Sequence, residues 1–194
     1  VGKTRLASEL GFRAAERIDV HWIDLRPSTY AASPATPEVA QRWARQNPGG
    51  MLIVDNAETD VALASAIVSA ATRVAPRVQV VVTSRVPLSA DTATLVLQPL
   101  TVPPEGPVDD EAIEEHAGVQ LLRSLLELRA PGTVVDSRTA GELVRAVGGL
   151  PLGIRLVADM ARSATGGDIL SRSSTTVAEQ LGPAVEAVLA SLGA

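Results

Sequence analysis

Gly2-Lys3-Thr4 stands at the start of the chain, and Lys3 is the only lysine among 17 basic residues. An ammonium is a compact point charge suited to a β/γ-phosphate, whereas arginine serves the rest of this composition. The tripeptide matches the last positions of a Gly-x-x-x-x-Gly-Lys-[Ser/Thr] phosphate-binding loop running into a helix. Gly2 and Lys3 would then meet phosphate, and the Thr4 hydroxyl would ligate Mg²⁺. Three further groups complete a site for nucleoside triphosphate. Asp55 ends the apolar run Met51-Leu52-Ile53-Val54 and could hold the metal. Glu58 is the nearest acid that could activate water, with Asn56 as the nearest amide. Arg85 closes Val82-Thr83-Ser84 and could report on a γ-phosphate. Plainer readings stand beside these: a strand ending in Asp-Asn also makes a turn, Glu58 also suits the start of a helix near Asp60, and Arg85 suits a solvated loop.

Elements that would position these residues follow from the apolar pattern. The spacing predicts a helix over Thr4–Arg17 with Leu6, Leu10, Ala14 and Ile18 on one side, then a strand over Val20–Leu25. Pro27–Pro34 reads as a loop. Thr36-Pro37-Glu38 starts a helix with a hydroxyl cap and a first-turn proline, which ends before Asn47-Pro48-Gly49-Gly50. Met51–Asp55 reads as a strand buried on both faces, Asp60–Ala75 as a helix, Val78–Thr83 as a second buried strand, rich in β-branched residues, and Leu95-Val96-Leu97 as a third short apolar strand. Strands alternating with helices imply a parallel α/β sheet, whose carboxyl edge would gather Thr4, Asp55, Glu58 and Arg85. After the Pro/Gly-rich acidic stretch Thr101–Glu115, in which the acidic run Asp109–Glu115 reads as a solvated linker, with a partner-docking site as the alternative, only helices are predicted, at 116–129, 137–147, 151–163 and 176–191. The domains are therefore expected at 1–104, 105–170 and 171–194.

Composition narrows the function. Net charge is −5 over 194 residues, so the chain as a whole is not a nucleic-acid-binding surface. Four aromatics (Phe12, Trp22, Tyr30, Trp43) give no platform for stacking bases. Cysteine is absent, and His21 and His116 lack metal-ligand spacing. No signal peptide or apolar run of about 18 residues is present, which leads to the expectation of a cytoplasmic protein. The first glycine of the phosphate loop and the strand before it are expected upstream of Val1, so these residues read as part of something longer, holding half of the cradle.

Four motifs in order carry a resemblance over nearly the whole chain: Val1-Gly2-Lys3-Thr4-Arg5-Leu6-Ala7, Leu52-Ile53-Val54-Asp55-Asn56-Ala57-Glu58, Val82-Thr83-Ser84-Arg85-Val86-Pro87-Leu88 and Gly148-Gly149-Leu150-Pro151-Leu152. The chain resembles the STAND class of P-loop ATPases, with an NB-ARC-like core, and within it the LuxR-type and antibiotic-regulatory bacterial transcriptional activators. The resemblance implies a P-loop α/β subdomain followed by an all-α subdomain, binding ATP or ADP with Mg²⁺. It assigns Gly2, Lys3, Thr4 and Arg5 to the phosphates, Thr4 and Asp55 to the metal, Asp55, Glu58 and Arg85 to catalysis, and Pro151 to the adenine or ribose. It further implies sensor and DNA-binding domains outside this chain, and self-association dependent on ATP. Two rivals stay open: a module that holds nucleotide without turnover, and an interaction domain with no working site.

Overall fold

Three short strands, β1 (Val20–Asp24), β2 (Met51–Asp55) and β3 (Gln79–Val82), form a parallel sheet in the order β1-β2-β3. This computed structural model describes residues 2–26, 35–88 and 93–164, which divide into two compact units, Gly2–Val96 and a second starting at Leu97. The expectation of an α/β chain with a parallel sheet holds at that level. All five residues of β2 are buried, as a middle strand covered by helices on both faces requires.

Handedness fixes the layers of the first unit. Two successive right-handed crossovers in one direction put α2 (Pro37–Gln46) and α3 (Val61–Val74) on the same face. There Leu52 and Val54 pack with Ile23, Leu25, Ala40, Ala44, Ala64 and Ile67. Residues of the other parity, Met51 and Ile53, pack instead with Ala7 of α1 (Lys3–Ala14). Helix starts follow their capping chemistry. Thr36 Oγ1 accepts from Val39 N at 3.4 Å ahead of α2, and Asp60 Oδ1 accepts from Leu63 N at 2.9 Å ahead of α3.

The covered stripe of α1 differs from the expected one. Ala7 and Gly11 are buried, with Ala14 and Ile18 at the margin, whereas Leu6 and Leu10 are 48% and 41% exposed. The smallest side chains face the sheet because the helix lies close upon it: a Cβ on Gly11 would stand 2.8 Å from Ile53 Cδ1.

Among its described residues the second unit is helical. These residues form α4 (Asp110–Glu114), α5 (Ala117–Arg129), α6 (Ser137–Ala146) and α7 (Pro151–Ala164) around Val119, Leu122, Val144, Val147, Ile154 and Val157. The helix expected at 176–191, the segment 171–194 and the loop Pro27–Pro34 lie outside the described residues. Three expectations are corrected. The strand expected to be buried at Val78–Thr83 is only half-covered: in β3 Gln79 is exposed and Val80, Val81 and Val82 are half-buried. Leu95-Val96-Leu97 forms no strand: residues 93–109 carry no regular structure, and Leu95 and Val96 are 77% and 68% exposed. An apolar triplet suits a ladder only if a partner strand lies beside it. Asp109–Glu115 is not a solvated linker: it holds α4, whose Ile113 is buried in the helical core, and just before it Pro103 is fully buried and Leu100, Val102 and Val108 pack on the same core. The change of architecture was expected near residue 105; the compact units divide between Val96 and Leu97.

Backbone contacts explain that seating. Leu100 N donates to Gly149 O at 3.0 Å, and Gly118 N to Thr101 O at 3.0 Å. Gly149 has φ 65°, and a Cβ there would overlap the Leu100 carbonyl oxygen, so both its backbone conformation and the close approach require glycine. The corner Gly148-Gly149-Leu150-Pro151 thus ends α6 and starts α7, as its residue types predict.

Candidate functional site

Register and parity build the site at the carboxyl edge of the sheet. Asp24 and Asp55 are partners across the β1–β2 ladder, and Val54 is the partner of Val82, so Thr83 falls level with Asp55 on the next strand. In a parallel sheet, partnered residues share a face. Asp55 has the parity of Met51 and Ile53, so its carboxylate lies on the face that α1 covers. The first turn of α1 reaches that same edge. Thr4 Oγ1 donates to Asp55 Oδ1 at 2.9 Å across 51 positions of sequence.

Asp55 is fully buried, and its carboxylate is met from three sides. Thr83 Oγ1 also donates to Oδ1 in a short contact, while Asn56 Nδ2 donates to Oδ2 at 3.0 Å. The Thr83 hydroxyl accepts in turn from Asn56 N at 3.1 Å. Asn56 sits in the left-handed region, φ 59° and ψ 43°, a conformation for which asparagine is enriched. Its Nδ2 reaches a second carboxylate, Asp24 Oδ1, at 2.9 Å. Asp24 is itself held by Arg26, whose Nη2 stands 2.7 Å from Oδ2. The hydrogen bond from the Arg26 side chain pulls the Asp24 carboxyl down to about 2 from its ordinary 3.8.

Gly2 precedes α1 at φ 75°, and its carbonyl accepts from Leu6 N at 2.9 Å. No side chain caps this end of the helix. Lys3 is the first residue of α1, at the positive end of the helix dipole. Arg5 is turned along the helix toward Glu9, 3.9 Å away, and its side chain is 85% exposed. Glu58 lies on a 3₁₀ turn, Ala57–Thr59, and does not cap α3, which Asp60 caps. Its carboxylate faces Arg85, with Arg85 Nε 3.3 Å from Oε1 and Arg85 N donating to Oε2 at 3.3 Å. Pro151 belongs to the second unit, at the first position of α7.

The structure therefore brings Thr4 together with Asp55, and Glu58 together with Arg85. Asp24 could face the site from its place at the end of a strand, although no motif marks it, and the structure joins it to the network through Asn56. Sequence reasoning gave Thr83 no role, although Thr83 lay within a quoted motif. Their common signal is position: each ends a strand, and only the ladder register puts them in one row with Asp55.

The donor set fits Mg²⁺. Thr4 and Asp55 present a hydroxyl and a carboxylate side by side, oxygen ligands of the kind a hard cation takes. Among the described residues no group of three or more His, Cys, Asp or Glu converges; Mg²⁺ held jointly with phosphates and water needs no such cage. Also among the described residues, no helix is long and apolar enough to cross a membrane. No protein-family model, curated protein or solved structure matches the chain.

Proposed function

We propose that the chain is the nucleotide-binding core of an ATP/ADP-dependent conformational switch of the STAND P-loop class, serving a multidomain transcriptional regulator in the cytoplasm. One observation carries the reading: the Thr4 hydroxyl, beside Lys3 at the start of α1, lies 2.9 Å from the buried carboxylate of Asp55. Two motif fragments read independently from sequence meet where a Mg²⁺·triphosphate would require them.

In this reading Lys3 and the first backbone N–H groups of α1 bind phosphate oxygens. Thr4 and Asp55 hold Mg²⁺, which when bound supplies positive charge against the phosphates. Arg85 answers to the γ-phosphate. Pro151 would contribute from the helical unit toward the base or ribose. Sensor and DNA-binding domains beyond these residues would read the nucleotide state, and ATP would promote self-association.

Calorimetry with ATP and ADP, in Mg²⁺ and in EDTA, on the intact protein tests the reading. Lys3→Ala is expected to weaken ATP binding about 10- to 150-fold, the worth of a hydrogen bond to a charged group. Absence of any nucleotide binding by the wild type would overturn it.

A second reading, nucleotide held without turnover, is favoured by the Glu58–Arg85 pair. The acid nearest to the role of base is already engaged by both the side chain and the backbone of Arg85. Phosphate release by wild type and Glu58→Gln tests turnover: equal rates would remove Glu58 as base, and no release by the wild type would favour nucleotide held without turnover.

A further inference from the structure

We propose that Asp24 is a positioning residue for Asp55, acting through the side-chain amide of Asn56; the inference rests on the nucleotide·Mg²⁺ reading of the site. Carboxylates accept and cannot donate, so an amide placed between two of them must turn its NH₂ group to both. Asn56 Nδ2 does so, at 2.9 Å from Asp24 Oδ1 and 3.0 Å from Asp55 Oδ2. This fixes the amide orientation, and the fixed amide in turn holds Oδ2 of Asp55. Oδ1 is held independently by Thr4 and Thr83, so the rotation of the carboxylate about its Cβ–Cγ bond is determined from both ends.

Asp24 is equipped to be the fixed end of this chain of bonds. It stands in ladder register with Asp55 on the adjacent strand. The Arg26 guanidinium takes both of its oxygens, Nε at 3.2 Å from Oδ1 and 3.1 Å from Oδ2. The Arg26 backbone N donates to Oδ1 at 3.0 Å as well. Asn56 is likewise constrained at its backbone by the Thr83 hydroxyl. Without Asp24, one hydrogen of the Asn56 amide loses its acceptor and the amide is free to turn its oxygen toward Asp55, where it would repel Oδ2. Asp24 makes no hydrogen bond described above to Thr4 or Asp55, so its hydrogen-bonded route to a metal there runs through Asn56. Partners of this kind typically change metal affinity about 10- to 100-fold when removed.

The test is a Mg²⁺ titration, read by calorimetry, of the intact protein saturated with ADP, for wild type, Asp24→Ala and Asp24→Asn, with ADP affinity in EDTA measured in parallel. Asp24→Ala is expected to weaken Mg²⁺ about 10- to 100-fold while leaving ADP affinity in EDTA within about twofold. Asp24→Asn keeps an oxygen for the Asn56 amide and is expected to recover most of the loss. Unchanged Mg²⁺ affinity in Asp24→Ala overturns the positioning role and leaves the nucleotide reading standing. An equal loss of ADP affinity in EDTA, or failure of Asp24→Asn to recover Mg²⁺ affinity, makes Asp24 merely structural and also overturns it. No ADP binding by the wild type overturns both.

Discussion

At the scale of single residues, Thr83 shows what the buried end of β2 demands. Its hydroxyl donates to Asp55 and accepts from the Asn56 backbone N–H, so one small side chain satisfies a carboxylate oxygen and an amide. Thr83→Val keeps the volume and removes both bonds, leaving polar groups beside an apolar methyl. Destabilisation of about 1–3 kcal/mol is expected, the range for leaving such a group unsatisfied, measured as a lower urea midpoint at unchanged slope. A change below about 0.5 kcal/mol would mean that other donors or water replace the hydroxyl. The same row of residues marks how far the site was legible. Lys3, Thr4 and Asp55 belong to spaced motifs and could be read one by one. Asp24 could be placed only by position, at a strand end facing the site; its partnership with Asn56 exists only once β1 and β2 are aligned in parallel register, and nothing local in His21-Trp22-Ile23-Asp24 states that register.

At the scale of elements, two glycines have opposite meanings. Gly11 lies within α1 at an ordinary helical conformation, and an added Cβ would crowd the tip of Ile53, 2.8 Å away, and touch Val20 Cγ1 at an ordinary 3.5 Å. Gly11→Ala gains helix propensity of about 1 kcal/mol against a small shift of that tip, so a stability change within about 1 kcal/mol is expected. Gly149→Ala would force a left-handed alanine into the Leu100 carbonyl. A loss above about 3 kcal/mol is expected, from strain and overpacking together. Thermal or urea unfolding of the two variants checks the contrast, and equal effects would contradict the seating of Leu100–Pro103. Capping supplies a pH test. Asp136 Oδ1 accepts from Thr139 N at 2.9 Å at the start of α6, and this bond holds the Asp136 carboxyl below its ordinary value. Its stabilising contribution is therefore present above the unfolded-state value and lost as pH falls through the folded one. Asp136→Ala is expected to cost about 1 kcal/mol at pH 7, and the difference from wild type should shrink as pH drops below about 4. A constant difference would assign the loss to packing. Helices with caps and long apolar periods were legible in the sequence for this reason: their signals are local. Leu95-Val96-Leu97 misled because a short apolar run says nothing about whether a partner strand is present. Leu6 and Leu10 misled because the closeness of α1 to the sheet selects alanine and glycine for the covered face.

At the scale of the whole molecule, the question is whether nucleotide acts on one unit or on both. A ligand that binds only the folded site stabilises it by about 2.7 kcal/mol at 100 times its Kd. Amides that exchange only when the Gly2–Val96 unit unfolds should then slow about 100-fold, whichever reading of the site is right. The readings part over the second unit. A module that merely holds nucleotide leaves exchange at Leu97–Ala164 unchanged. A switch requires the nucleotide state to alter the helical unit, because a ligand shifts only those equilibria whose states it binds unequally. Hydrogen exchange measured on the intact protein with Mg²⁺·ATP and with Mg²⁺·ADP, each saturating, is therefore the discriminating experiment. The switch is expected to give different protection for the two nucleotides around the Gly149–Gly153 corner, where α7 begins and Gly149 anchors Leu100. Lys3→Ala at the same ligand concentrations should erase that difference along with the protection of β2. Protection that is identical for ATP and ADP, and confined to the first unit, would leave a nucleotide-binding domain and remove the switch.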